Sequence, residues 1–343
     1  MRMLRITETL YTSNPGTMQR RQFLKNSSTL AGLFPFFQNA DLTALTKGLL
    51  METEVVKLKI GAFDCTIFRD FLFKYLAKDF FINANAAELN QSLTKYHISP
   101  DNIPSPFIAI LLQHKKRKIL IDTGIGFSEK PVEFRGAQHE FKGRLHKLLE
   151  QENIQPADIT DVIITHFHPD HIGGIYSETG QLNFPAARFF MHEDEWQYWI
   201  SPQSDYQPGM FKFFIERNII KLKDKNLHLV KGDFTELLPG ITAVKAAGHT
   251  PGHISLIIHS GKEKLLYISD AFLHPLHIER TDWQTNYDLN HEQAKRSRIK
   301  LLELAHKEHM LVNAFHFDFP GLGRIGKENR GWSWHYEKRG NIL

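Results

Sequence analysis

Residues 165–171 read Thr-His-Phe-His-Pro-Asp-His, which crowds His166, His168, Asp170 and His171 into six positions directly after the apolar run Val162-Ile163-Ile164. Imidazole and carboxylate are donors for divalent cations. On extended backbone alternate side chains face the same way, so His166 and His168 can meet one cation at about 2.0–2.1 Å. Asp170 and His171 lie one step further on and can serve a second. Pro169 stiffens the loop and Gly173-Gly174 permit a tight exit. A pair of cations about 3.5–4 Å apart needs roughly three protein ligands each, so four residues are too few.

The remaining ligands must come from distant segments. His249 in AAGHTPGH (246–253), Asp270 in YISDAF (267–272) and His316 in NAFHFDFPGLGRI (313–325) are the candidates. Each follows an expected strand, where loops gather side chains at one sheet edge. A carboxylate has two oxygens and can bridge two ions, which suits Asp270. The chemistry such a centre supports is hydrolysis, by a water whose pKa two cations lower to about 7. Asp170 or Asp270 would carry the proton to the leaving group, Asp170 being preferred because a bridging carboxylate is more fully engaged. Cys65 is the only cysteine, so no intrachain disulfide can form and the site must be built from imidazole and carboxylate.

The elements that must position these residues follow from the pattern. Residues 54–70 alternate like two strands joined at Gly61, and 107–126 read as two strands around the charged turn 114–118. The proline-punctuated segment 76–105 reads as irregular. Phe141, Leu145, Leu148 and Leu149 predict an amphipathic helix over 138–151, packed on the sheet. A strand at 161–165 delivers the histidine loop; a strand at 188–191 precedes a helix in which Trp196 and Trp199 are packing residues. Strands are expected at 241–247, 254–259 and 264–268, a long helix over 290–308, and a last strand at 310–314. His192 and His274 are assigned no ligand role. This order, without an internal linker or repeat, predicts an α+β protein with two sheets sandwiched between helices.

Composition excludes several classes. The 343 residues carry 42 basic and 38 acidic side chains with no block of like charge, so no nucleic-acid footprint stands out. The apolar runs fall far short of the roughly 20 residues needed to cross a bilayer, so no stable membrane insertion is expected. The amino terminus differs from the rest. Arg20-Arg21, Phe23-Leu24-Lys25 and a weakly apolar stretch free of acidic residues resemble a twin-arginine export signal, with Met18 as a candidate start. The domain expectation is therefore a leader over 1–40, a linker over 41–51, a hydrolase domain over 52–330 and a tail over 331–343. The protein would work in the periplasm or outside the cell, or in the cytoplasm if the leader does not function.

THFHPDH at 165–171, GHTPGH at 248–253, Ser269-Asp270 and Phe315-His316 together resemble the metallo-β-lactamase superfamily in order and approximate spacing, over nearly all of 52–325. The resemblance implies an αββα four-layer sandwich and two metal ions: His166, His168 and His249 on one, Asp170, His171 and His316 on the other, Asp270 bridging. It also makes Asp122 in LIDTGIG an orienting residue rather than a ligand. Zinc is the expected ion, iron, manganese and cobalt sharing its ligand preferences.

Within the superfamily, residues 79–89, 269–283 and 316–325 look like the branch of N-acyl-homoserine lactonases and methyl-parathion-hydrolase-like enzymes. The resemblance therefore implies a lactone or ester substrate, an N-acyl-homoserine lactone first. The alternatives are an organophosphate triester or aryl ester, a glyoxalase-II-like thioester, and, in another class, a metal-binding module without catalysis. Ser269 stands where glycine is commoner and Asp318 where proline is. Phe272 and Leu273 occupy the stretch in which some lactonases carry a tyrosine, so a phenol must come from elsewhere or be absent. Phe107, Phe272, Trp283 and Phe319 are the candidates to line an apolar pocket for a small substrate. The segment 70–105 is a candidate to cross to a second copy, so a homodimer is a candidate assembly, although the sequence does not fix the oligomeric state.

Overall fold

A computed structural model describes residues 54–328 and 331–337. The expected leader and linker lie outside the described residues. Strands β1 (Val55–Ile60) and β2 (Phe63–Tyr75) form the expected hairpin at Gly61, where φ is +56°. The segment read as irregular instead carries two short helices, α1 (Ala77–Phe80) and α2 (Ala86–Lys95). The start of α2 is written locally: the Asn85 side chain accepts from Ala87 N at 3.0 Å, an N-cap. Strand β3 (Ile103–His114) pairs antiparallel with both β2 and β4 (Arg117–Ile121).

The helix expected over 138–151 is only half present. A small hairpin, β5 (Val132–Phe134) and β6 (Ala137–His139), turns at Arg135-Gly136, and the helix α3 is confined to Leu145–Gln151. Arg135 and Gly136 both take positive φ, 55° and 78°, which a tight two-residue hairpin turn needs. Beyond it come β7 (Asp161–Ile163), the one-turn helix α4 (Pro169–Ile172), β8 (Arg188–His192), α5 (Glu193–Trp199), α6 (Gly209–Asn218) and β9 (Leu227–Val230). These complete a seven-stranded sheet in the order β1-β2-β3-β4-β7-β8-β9, antiparallel to β4 and parallel after it.

The second sheet runs in chain order: β10 (Phe234–Leu238), β11 (Ile241–Lys245), β12 (Ile254–Ser260), β13 (Glu263–Ser269), β14 (Leu311–Ala314), β15 (Leu322–Glu328) and β16 (Gly331–Tyr336). Between β13 and β14, which are parallel, lie α7 (Pro275–Glu279) and the long helix α8 (His291–Lys307), close to its expected bounds. The described part of the expected tail, residues 331–337, carries a strand. Gly331–Tyr336 pairs with β15, and Trp334 is buried edge-on to Phe317 at 5.0 Å. The α+β architecture of two sheets with helices is the one expected.

Alternation assigns the faces of the second sheet. On β13, Leu265 and Tyr267 enter the core shared with the first sheet, whereas Leu266 and Ile268 pack with Leu301, Leu302 and Ala305 of α8. On β3 the whole run Phe107–Leu112 is buried, as a strand covered on both faces must be. With both sheets fixed by such cores, the loops at the carboxyl ends of β4, β7, β13 and β14 are held at one edge. Two of them touch backbone to backbone: a Cβ on Gly173 would lie 2.0 Å from Ile125 O, and one on Gly126 would lie 2.2 Å from Gly173 O. Gly126 also has φ +70°. Gly126→Ala therefore meets a steric and a conformational penalty at once, and should lower stability by about 2–4 kcal/mol in urea unfolding. An unchanged midpoint would contradict the tight packing of these loops.

Candidate metal centre

The histidine loop leaves β7 after Ile163. His166 and His168 precede α4, and His168 is its extended N-cap (φ −70°, ψ 151°), with Pro169 opening the helix. Asp170 and His171 thus ride on a helical turn, not on the extended loop expected from the sequence. The change of backbone at Pro169 is how one short segment serves two donor groups.

Those groups are well defined. Donor atoms of His166, His168, His249 and Asp270 all lie within 4.8 Å of one another, and so do those of Asp170, His171, Asp270 and His316. In the first group His249 Nε2 is 2.9 Å from His168 Nδ1 and 3.5 Å from Asp270 Oδ2, and His166 Nε2 is 3.8 Å from that oxygen. In the second, His171 Nε2 is 3.3 Å from Asp270 Oδ1 and 3.8 Å from Asp170 Oδ2; His316 Nε2 is 3.1 Å from Asp270 Oδ2 and 3.5 Å from Asp170 Oδ2. A tetrahedral cation with bonds of about 2.0–2.2 Å has ligand–ligand edges of about 3.3–3.6 Å, and the spacings scatter around that value. His166 Nε2, His171 Nε2 and Asp270 Oδ1 are buried without a hydrogen-bond partner. Buried polar atoms left unpaired at the centre of such a cluster fit a pair of divalent cations with Asp270 between them.

The electrostatics fit as well. Burial first, then the neighbouring imidazoles, hold His166 and His168 well below the usual histidine range, so they are neutral and free to ligate. Burial works against the charge of Asp270 too, but His316 and His171 outweigh it and the carboxyl stays well below its ordinary range.

Buried partners fix the ligands from behind. Asp122, at the end of β4 with φ 56°, accepts from Thr165 N at 2.9 Å, from Tyr267 Oη at 3.0 Å and from His171 Nδ1 at 2.9 Å. With Nδ1 so engaged, His171 turns Nε2 toward the cluster. The sequence does not single out three further residues, although one of them, His253, closes the GHTPGH stretch. Asp288 lies 3.3 Å from His249 Nδ1 and 2.8 Å from Arg298 Nη2, while Arg298 Nε donates to Ala271 O at 2.7 Å. One buried ion pair thereby ties His249 to the residue following Asp270. His253 Nε2 accepts from Asp270 N at 3.2 Å. His192 and His274, as expected, are not in either group; each caps a helix, accepting from Asp194 N and Leu276 N.

The cavity above the cluster is walled by Tyr75, Phe80, Phe134, Met210, Phe211 and Tyr287. Of the four expected pocket aromatics, only Phe107 stands beside the site: its ring is 5.5 Å from that of His316 and lines a small adjoining cavity with Asp170. Phe272 packs under α8, Trp283 packs against Phe81, and Phe319 belongs to the core between the sheets. Proximity in sequence to a ligand does not decide which face a side chain takes, and these three turn away. Two tyrosines, Tyr75 and Tyr287, line the cavity, and the buried Oη of Tyr287 is unpartnered.

A profile of the metallo-beta-lactamase superfamily matches residues 109–308, more than half of the chain. The chain belongs to this superfamily. It is 26% identical over 203 residues to an N-acyl homoserine lactonase of Bacillus cereus, covering 56% of this chain and 74% of the relative. A probable metallo-hydrolase of Mycobacterium bovis is 23% identical over 247 residues, 64% of this chain and 76% of the relative. Among solved structures it is similar to AidC, a dizinc quorum-quenching lactonase in complex with a product, at 28% identity and TM-score 0.73, over 83% of this chain and 97% of that one. The fold is shared with the hydrolase AbOPH (23% identity, TM-score 0.72, 83% and 98% covered). The protein is a metal-dependent hydrolase acting on ester bonds.

Asp288 offers a test of how the ligands are held. Burial pushes its carboxyl up, but Arg298 and His249 outweigh burial and hold it well below the usual range. A carboxyl with a depressed folded pKa contributes stability above its unfolded value near 4, and that contribution is lost as pH falls. Asp288→Asn leaves Arg298 buried and unpaired, so it should destabilise the metal-free protein by about 3 kcal/mol at pH 7. The deficit should shrink as the pH is lowered from about 5. A deficit of constant size across that window would contradict the ion pair.

Proposed function

We propose that the protein opens N-acyl homoserine lactones, adding water across the ring ester bond to give the open-chain hydroxy acid, and so acts as a quorum-quenching lactonase. The observation that carries this reading is the pair of donor groups sharing Asp270. Its support comes also from the relatives, which include N-acyl homoserine lactonases. Two divalent cations held there, zinc being the proposed ion, would lower the pKa of a shared water and polarise the ester carbonyl.

The chain's own residues do the rest. His166, His168 and His249 on one side and Asp170, His171 and His316 on the other present imidazole nitrogens and carboxylate oxygens to the cations. Asp270 belongs to both groups, so its oxygens are committed; Asp170 is the carboxylate that takes the proton from the attacking water and delivers it to the alkoxide oxygen of the opened ring. Tyr287 Oη is an unpaired donor in the same cavity. Burial first raises its phenol above the ordinary range, so it stays protonated and donates a hydrogen bond to the substrate carbonyl.

The walls select an apolar acyl group. Phe134 comes from the β5–β6 hairpin, Met210 and Phe211 from α6. The cavity they leave is narrow, about 30 Å³, so an acyl chain enters by displacing Phe134 and Met210. The same reading has the enzyme working outside the cytoplasm, on the strength of the Arg20-Arg21 leader sequence.

The purified protein should cleave acyl-homoserine lactones in preference to aryl esters, phosphotriesters and a glutathione thioester, and a chelator should abolish turnover. Preferential thioester cleavage would overturn the substrate. His168→Ala and Asp170→Ala should each lower kcat/KM by at least about 10²-fold. Full activity in both would remove the two-metal reading.

A further inference from the structure

Glu195 is a buried carboxylate, 1% exposed, and three of its four hydrogen bonds reach two separate ligand loops. It sits in the first turn of α5. Its Oε1 accepts from Phe167 N at 2.9 Å, the amide between His166 and His168, and from Trp199 Nε1 at 2.7 Å. Its Oε2 accepts from Thr250 Oγ1 at 2.7 Å and Gly252 N at 2.9 Å, on the loop that begins with His249. One oxygen therefore holds the loop of the first two histidines, and the other holds the loop of the third.

The approach that makes this possible is built in. A Cβ on Gly252 would lie 2.1 Å from Glu195 N, so only glycine lets the 248–253 loop lie against the first turn of α5. All four donors are neutral, and burial raises the carboxyl above its ordinary range although the four hydrogen bonds oppose it. A buried carboxylate with only neutral donors is costly in an apolar core, and stabilising when a dication lies nearby.

We propose that Glu195 is the positioning residue of the first metal site alone: it sets the spacing of His166, His168 and His249, and its charge favours the cation they hold. The second site has a different anchor, since His171 is held by Asp122. This inference rests on the two-metal reading and predicts an asymmetry that neither that reading nor a purely structural role contains. Glu195→Gln keeps the volume, removes the charge, and turns one of the two accepting atoms into a donor that faces amide or hydroxyl donors.

The experiment is a cobalt(II) titration of full-length wild type and Glu195→Gln, following the paramagnetically shifted exchangeable imidazole N–H signals, with site affinities from chelator competition. Wild type should bind two ions per chain. In Glu195→Gln the first-site affinity should fall about 10–100-fold and the signals of its three histidines should fade first, while the His171 and His316 signals and the second-site affinity stay within about threefold of wild type. Thr250→Val, which deletes one donor to Oε2 and spares the charge, should show a smaller loss at the same site, and supplies the test if Glu195→Gln does not fold. Equal weakening of both sites, or wild-type affinity at both with only a lowered Tm, would overturn the proposal. Fewer than two ions in wild type would instead overturn the two-metal reading itself.

Discussion

Two carboxylates and five imidazoles buried at one sheet edge are the constraint on which this structure depends. Without cations, such a cluster leaves His166 Nε2, His171 Nε2 and Asp270 Oδ1 desolvated and unpaired. A core cannot absorb those penalties for free. The fold answers by placing every ligand at the carboxyl end of a strand or on the short turn after it, and by giving His171 and His249 hydrogen-bond partners on their far nitrogens, Asp122 and Asp288. Asp122, Asp288 and Glu195 are themselves buried and hydrogen-bonded through a ligand or the backbone beside one, and buried His253 accepts from Asp270 N through Nε2. The site is thus held by polar groups whose geometry is set by two apolar cores.

The close backbone contacts serve the same end. Gly126 and Gly173 let the loop after β4 lie directly on the loop after β7, and Gly252 lets the His249 loop lie on α5. Side chains at any of these positions would push the loops apart by ångströms, whereas ligand geometry tolerates tenths of one. Rigidity here comes from steric contact, and the hydrogen bonds act on loops that are already in place.

How much of this could be read from the sequence depends on whether a residue works through its neighbours in the chain or through space. His166, His168, Asp170 and His171 announce themselves because they are contiguous, and His249, Asp270 and His316 because each follows a strand whose apolar pattern is plain. The two-sheet architecture is legible for the same reason. The β5–β6 hairpin and helix α1 are not, since three- and four-residue elements carry too little periodicity to be told from loop. Strand β16 did leave a signal, Trp332, Trp334 and Tyr336 alternating with Ser333 and His335, but its charged surroundings resemble a tail. Glu195, Asp288, Arg298 and Tyr287 act only through tertiary contacts, on partners tens of residues away or more in most cases, so composition and spacing cannot single them out. Phe272, Trp283 and Phe319 show the converse: a position close to a ligand in sequence is compatible with a side chain that faces another core.

The seven donors claim two cations in fixed places, and anomalous diffraction from crystals of the metal-loaded protein measures that directly. The account predicts two peaks about 3.5–4 Å apart, one among His166, His168 and His249, the other among Asp170, His171 and His316, with an Asp270 oxygen toward each. A single peak, or peaks away from these residues, would contradict it.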